Sequence, residues 1–587
     1  MGQQRSRRRS SGGGRRKNGP SSRGRRRSPV DHQEIEWQFD AADLEPVEAW
    51  LKQHSSNSGL VVEPESDERV ADTYYDSEDW RFYRAGYALR VRNVGGVAEA
   101  TMKSISPADG NVRRRREISE PLTDDKPSTL NGAKGPVGGR ARSLLGGRKL
   151  VPIFEVRTRR RTFGVLLEAH EPSENGEPDG TAEERVRIGA VMLDETEVPL
   201  DGSREAARLG RVEIEAGAGT APTPDLRGLV DEMQYALDLD PAQISKFEAG
   251  LYATGSTPRT SEDTGPTRID ATMSLGEVAF AVLRRQFAAL RAHEPGTRIG
   301  EDPEELHDMR VATRRMRAAI KVFEGALPER AKWLREELRW LAQVLGEVRD
   351  LDVQEERFER WIAKAAEDDV EHLRKILGGL GKRREGARKD MLKALDSVRY
   401  ERLETSFAEM LRRGPGAERE LAPSGGAAGE PVTKTAPDLI SARYRKWRKA
   451  AKKLAGDSPA EAFHDVRKKG KKLRYALEFV AEVYGGPVKA LIKPLKAVQD
   501  DLGDHQDAVV AAETLRELGT TDQGRRVTRR AAFTMGIYHE RCREQAARLR
   551  SCAIVSKPFR SLVRGKGWKG FEAATREAAK DPQRAAR

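Results

Sequence analysis

Two patterns of charged residues could carry chemistry. The first is a stripe of bases: His307, Arg310, Arg314, Arg317 and Lys321 are spaced 3, 4, 3 and 4. At 3.6 residues per turn they fall on one face of a helix, with Met309, Met316, Ile320 and Phe323 on another. The stripe recurs as His464, Arg467, Lys471 and Arg474, widened by Lys468, Lys469 and Lys472. Like charges one turn apart repel by a few tenths of a kcal/mol per pair, and acids hardly interleave here. Such a face makes sense if an anion compensates it. The forked donors of guanidinium match phosphate oxygens. A stripe of about 20 Å suits a chain of phosphates better than a single one. For the two histidines, a helix-end hydrogen bond and a contact to phosphate are both open readings.

The second pattern is pairs at spacing two. Glu34 and Glu36, and Glu213 and Glu215, each point one way from a strand. Inward carboxylates need a cation, and their hard oxygens suit Mg²⁺ or Mn²⁺. Arg90 with Arg92, Arg157 with Arg159, and Lys103 supply bases on strands. Closing such strands into a barrel would line one lumen with both signs: carboxylates for a metal, bases for phosphate oxygens.

The elements that position these residues follow from the change of period. Residues 31–250 alternate apolar and polar in short runs, as in Glu34–Phe39, Tyr87–Arg92 and Arg211–Glu215, which predicts strands. Residues 122–148, rich in Gly, Lys and Arg, are expected to form a long loop. Residues 251–268 read as a linker. From 269 to 552 the period is helical, split near 413–437 by a Pro/Gly/Ala-rich stretch. Residues 553–587 read as a basic tail of poor patterning. An offset of 157 carries His307-Asp-Met-Arg310 onto His464-Asp-Val-Arg467 and Leu345-Gly346 onto Leu502-Gly503. It also pairs Asp350 with Asp507. One gapless register over more than forty residues indicates a duplicated helical bundle. The fold expected is α+β multidomain: an antiparallel β-tunnel, then a duplicated all-α domain.

At 587 residues the chain is long enough for two or three domains. Its 106 Lys and Arg against 93 Asp and Glu give a net charge of +13, which favours anionic partners. Residues 1–30 hold ten Arg and one Lys with no acid, a low-complexity tail expected to be disordered and able to add affinity for nucleic acid or another polyanion. Cys542 and Cys552 are too few for a disulfide framework or a zinc site, so a reducing, cytoplasmic setting is expected. No apolar run is long enough for a membrane span.

The helical motif, His-x-x-Arg-x-x-x-Arg-Arg-x-Arg followed by Leu-Gly-x-x-Arg-Asp-Leu-Asp, resembles the CHAD family over about 269–552. That resemblance implies a pair of helical bundles whose central basic surface binds inorganic polyphosphate. The binding positions it implies are His307, Arg310, Arg314 and Arg317, then His464, Arg467, Lys471 and Arg474, with Arg339 and Lys496 added from a facing helix. Association with polyphosphate granules would follow.

Residues 31–250 resemble the CYTH family as an ordered set: Glu34-x-Glu36, Tyr74-Tyr-Asp76, Leu89-Arg-Val-Arg92, Thr101-Met-Lys103, Arg115-x-Glu117, Arg157 and Arg160, Asp194, Val212-Glu-Ile-Glu215, and Ser245-Lys246. The resemblance implies a β-tunnel that hydrolyses small triphosphates with Mg²⁺ or Mn²⁺. Catalytic roles would fall to Glu34, Glu36, Lys103 and Glu117. Triphosphate contacts would come from Arg90, Arg92, Lys103, Arg115, Arg157, Arg160 and Lys246. The metal would be held by Glu34, Glu36, Asp194, Glu213 and Glu215. Two positions depart from the family pattern: Gln38 stands where a lysine is usual, and Ser119 where an acid is usual. Two alternatives are a non-catalytic polyphosphate-granule scaffold with a decayed tunnel, and a nucleic-acid-binding protein. The second lacks aromatics among its basic stripes for base stacking.

Overall fold

The computed structural model describes residues 30–54, 60–107, 109–168, 185–200, 205–217, 221–258, 263–417, 427–520 and 529–585. The Arg-rich stretch expected at 1–30 lies outside the described residues but for its last, as do the middle of the Pro/Gly/Ala-rich split and part of the linker. The chain forms two compact units. The first comprises residues up to Tyr74, Leu89–Gly138 and Phe154–Gly250; the second comprises Tyr75–Ala88, Gly139–Ile153 and Leu251 onward.

The first unit is built on β1 (Val30–Asp40), β2 (Leu60–Asp76), β3 (Tyr87–Val94), β4 (Val97–Ser104), β5 (Val112–Leu122), β6 (Val151–Glu168), β7 (Arg185–Pro199), β8 (Ala206–Ala216) and the two-residue β9 (Asp240–Pro241). The strands run in the order β5-β4-β3-β2-β6-β7-β8-β1-β9, and β1 also pairs with β5. That extra pairing closes eight antiparallel strands into a barrel. Period two then assigns each strand's faces. Trp37, Phe39, Val212 and Ile214 point outward and are buried with Val47 and Leu51 of helix Glu45–Gln53 and with Leu226, Leu229, Val230 and Met233 of helix Pro224–Leu237. The charged partners at even positions of β1 and odd positions of β8 therefore face the lumen.

The stretch 122–148 is not one long loop. It holds helices Pro127–Gly132 and Pro136–Leu145, with Leu130, Val137, Ala141 and Leu144 buried. The Glu120 carboxylate accepts hydrogen bonds from the backbone N–H of Val137 (2.7 Å) and Gly138 (3.0 Å), satisfying orphan donors at a helix start. That partner is distant in sequence, so the Gly-rich composition alone reads as loop.

In the second unit the offset of 157 carries helix Pro303–Val322 onto Ala460–Phe479. It also brings Arg330–Ile362 within a residue of Gly486–Thr520. Local signals fix the starts: Ser274 and Glu277 form a capping box for helix Leu275–Ile299, and Asp302 caps Pro303–Val322 ahead of a proline at its first position. Both repeats share one core, from Phe280, Met309 and Leu341 to Trp447, Val466 and Leu502. Residues 553–585 are not a loose tail. Helices Lys557–Arg564 and Trp568–Lys580 bury Phe559, Leu562, Phe571 and Ala578 in that same core. Their apolar residues are sparse but fall three to four apart, a period that the surrounding bases obscure.

Candidate functional site

The barrel register sets its charged side chains opposite one another. Glu34 lies across from Arg115, Glu36 from Glu215, Gln38 from Glu213, Lys103 from Glu117 and Arg160 from Asp194. Carboxylate oxygens of Glu34, Glu36 and Glu215 lie within 4.8 Å of one another. Lys103 Nζ reaches Glu34 (2.5 Å), Glu117 (3.4 Å) and Glu36 (3.6 Å), and Arg115 pairs closely with Glu36. Burial opposes the charge on Glu34, but Lys103, a hydrogen bond to Glu215 and Arg115 hold it down at about 2. Burial and then Glu34 push Glu215 up to about 8, so one proton is shared between the two carboxyls at neutral pH.

A second knot lies along the same lumen. Arg160 grips Asp194 with two hydrogen bonds (2.8 and 2.6 Å) and Glu213 with one (2.9 Å). Lys246 pairs with Asp194 and lies 3.1 Å from Glu213. Despite burial, Lys246 and Arg160 hold both acids below their ordinary range. A third knot has no counterpart in the motifs: Asp72 on β2 takes Arg92 in a fork (2.8 and 2.8 Å) and Arg90 at 3.6 Å. Arg90 Nε is buried without a hydrogen-bond partner.

The structure separates the five expected metal ligands. Glu34, Glu36 and Glu215 cluster, while Asp194 and Glu213 are engaged by Arg160 and Lys246. Arg157 does not join the lumen. It is three residues from Arg160, hence on the opposite face of β6, its side chain 65% exposed beside Glu155. Arg159 is likewise outside, paired with Asp67. Gln38 is buried at 2% exposure, and its amide donates to Glu36 (3.1 Å) and Glu213 (3.0 Å). A neutral donor thus stands between two carboxylates where the family pattern has a cation.

In the helical unit, the stripes of Pro303–Val322 and Ala460–Phe479 meet at a basic groove. Burial, then the guanidiniums of Arg467, Arg314, Arg474 and Arg310, push the Lys471 ammonium down to about 7. Tyr475 sits beneath: Arg474 and Arg314 lie 5.3 and 5.9 Å from its ring centre. The Nε atoms of Arg314, Arg317, Arg467 and Arg474, and the Tyr475 hydroxyl, are buried with no hydrogen-bond partner. Buried donors rarely stay unmet.

Family models match residues 46–217 as a CYTH domain and residues 281–516 as a CHAD domain. The chain is a CYTH domain followed by a CHAD domain. An uncharacterized protein of Mycobacterium tuberculosis strain H37Rv is 33% identical over 259 residues, covering 41% of this chain and 46% of that relative; the match thus spans about half its length. The CHAD domain structure from Ricinus communis aligns at 25% identity over 54% of this chain and 97% of its own, with a TM-score of 0.39. A Hippeastrum protein with a dominant triphosphatase activity aligns at 14% identity over 38% of this chain and 96% of its own, with a TM-score of 0.26.

Around the CHAD histidines, the structure adds partners that the motifs do not contain. His464 Nδ1 lies 2.7 Å from Gln506 Oε1. The repeat counterpart of Gln506 is Arg349, which helps burial lower the pKa of His307 and itself pairs with Glu304 at 3.3 Å. Leu-Gly also acquires a physical role. A Cβ on Gly503 would stand 3.3 Å from Arg467 Nη2, and one on Gly346 would stand 3.4 Å from Arg310 Nη1. Each glycine lets a stripe arginine lie flat on the facing helix. Arg339 and Lys496 are both exposed; Arg339 lies near Arg317 and 3.5 Å from Glu336. Arg335, also beside Arg317, joins the same basic field but falls outside the repeat motif, so nothing in the sequence singles it out.

Proposed function

We propose that the CHAD domain binds inorganic polyphosphate and that the CYTH tunnel hydrolyses a small triphosphate with a divalent cation such as Mg²⁺ or Mn²⁺. The observation that carries the reading is the set of buried guanidinium donors left unmet in the groove, contributed by both repeats. A flexible polyanion supplies many acceptors along one track, and neutralising the track relieves the repulsion that adds to burial in depressing Lys471. Binding to the polymer would also carry the protein to polyphosphate granules.

The tunnel is internally neutralised. Its bases hold its acids, so a cation and a triphosphate entering together can exchange partners with them at little electrostatic cost. Glu34, Glu36 and Glu215 fit a hard cation: two buried carboxyls and a half-buried one converge, and the proton shared by Glu34 and Glu215 occupies the place of positive charge. The cation, when bound, polarises the phosphoryl group and offsets its negative charge. Arg90, Arg92, Lys103, Arg115, Arg160 and Lys246 orient the phosphate oxygens, and burial of the lining side chains strengthens each interaction. Gln38 favours a second reading, a tunnel that binds without turning over, because its amide occupies Glu36 and Glu213 and adds no positive charge. Phosphate release from tripolyphosphate, thiamine triphosphate, ATP and long polyphosphate, measured with Mg²⁺ and with Mn²⁺, separates the two. Metal-dependent release from one of them supports hydrolysis, and none from any supports the binding-only tunnel.

A further inference from the structure

The groove leaves much of the second unit's positive charge unused. Helix Val432–Ala451 turns Tyr444, Trp447 and Ala451 inward and presents Arg445, Lys446, Lys449, Lys452 and Lys453 to solvent at its C-terminal end. Residues 441–453 contain no acid. The C-terminal segment presents Lys557, Arg560, Arg564, Lys566 and Lys569, again with no acid from 557 to 570. None of these exposed bases has an ion-pair partner among the described residues.

The two segments are far apart in sequence and are joined by specific interactions. Tyr444 Oη donates to the Leu562 carbonyl (2.9 Å), and Arg448 Nε donates to that of Val563 (2.7 Å). The Tyr444 and Trp568 rings stack at 4.0 Å. Gathering unpaired bases in this way costs repulsion, which an anion would relieve. The patch also abuts the groove's edge: Arg443 Nη2 donates to the backbone carbonyl of Lys321, the base that follows Arg317 on the first stripe.

The chemistry of the patch narrows its partner. Trp568 is committed to its stack and to Glu572 (2.8 Å), so no aromatic face is offered to a nucleobase. Neither segment exposes a large apolar side chain that could enter a membrane. What remains is a field of point charges suited to bare phosphates. We propose that this surface is a second polyphosphate-binding surface, reached by a chain that leaves the groove past Lys321 and Arg443, and that it makes the protein selective for long chains. The proposal rests on the polyphosphate reading of the groove.

The test compares the full chain with a variant carrying Lys446→Gln, Lys449→Gln, Lys453→Gln, Lys566→Gln and Lys569→Gln. Two polyphosphate probes are used, a long chain and a short chain that spans only the groove stripe, alongside duplex DNA. The variant should lose long-chain affinity by about tenfold or more. Its slope of log affinity against log salt should be shallower by about 0.7 for each phosphate that is no longer neutralised. Short-chain affinity should be unchanged. Unchanged long-chain affinity, or equal losses for both probes, overturns the proposal. A loss confined to duplex DNA reassigns the surface to nucleic acid. Wild-type protein that binds neither probe removes the groove reading itself, an outcome distinct from failure of the patch alone.

Discussion

Lys471 should make polyphosphate binding depend on pH in a way the other groove bases do not. Its ammonium is half-buried, faces Arg310 and Arg314 from one repeat and Arg467 and Arg474 from its own, and titrates near 7 without ligand. A bound polyanion favours the charged form and returns the group toward the ordinary lysine range. Affinity therefore rises as pH falls through 7. Linkage gives a factor of about 30 between pH 8.5 and pH 6 if the bound group titrates above 9. His307 contributes only at the acid end, since burial and then Arg349 lower it below its ordinary value. Lys471→Arg keeps the charge and removes the titration, so its profile should flatten with high affinity retained at pH 8.5. Lys471→Met should be flat and weak throughout. Titration calorimetry or fluorescence anisotropy with long-chain polyphosphate at constant ionic strength reads all three. A profile in Lys471→Arg as steep as wild type would refute the assignment. Without ligand the sign reverses: the unfolded chain holds a proton that the folded one releases, so stability should rise with pH from about 7 toward 10.4.

Three further outcomes are expected. Glu36→Gln removes one of the three clustered carboxylates and should abolish metal-dependent phosphate release while leaving polyphosphate binding intact; unchanged turnover would rule out this metal site. Gln38→Lys places an ammonium between Glu36 and Glu213, and a charge-assisted hydrogen bond worth about 1.5–3 kcal/mol should raise triphosphate turnover or affinity roughly tenfold or more, as steady-state kinetics would show. Gly503→Ala crowds Arg467 within a helix, so polyphosphate affinity should fall while the melting temperature holds or rises, because alanine is the better helix former by about 1 kcal/mol. A parallel fall in both would mean that the glycine serves packing alone.

Regular patterns make most of the architecture legible. Period two along β1 and β8 puts Glu34, Glu36, Glu213 and Glu215 on one face before any strand is paired. The offset of 157 matches both stripe helices residue for residue. What escapes depends on partners distant in sequence. Asp72 shows no sign in its local sequence that it will hold both Arg90 and Arg92, and Glu120 none that it will start a helix at Pro136. Arg157 falls outside the lumen because an interval of three along a strand reverses direction, which a family motif by itself does not register. Among the described residues, no helix is long and apolar enough to cross a membrane. The bases of 553–585 hide two packed helices, so a fragment ending at 552 would expose the core face that Phe559, Leu562 and Phe571 cover.

The central claim is that polyphosphate is held by the two stripes together, and one comparison of full-length variants tests it most directly. One variant replaces Arg310, Arg314, Arg317, Arg467, Lys471 and Arg474 by Ala. The other neutralises Lys382, Arg383 and Lys389, which are exposed on another helix of the same unit. With helicity unchanged by circular dichroism, long-chain polyphosphate binding should be nearly abolished in the groove variant. Each stripe altered alone should give a partial loss, and the control should stay close to wild type. Losses that scale only with the charge removed, equal per base in groove and control, would contradict the groove and leave nonspecific attraction to polyanions.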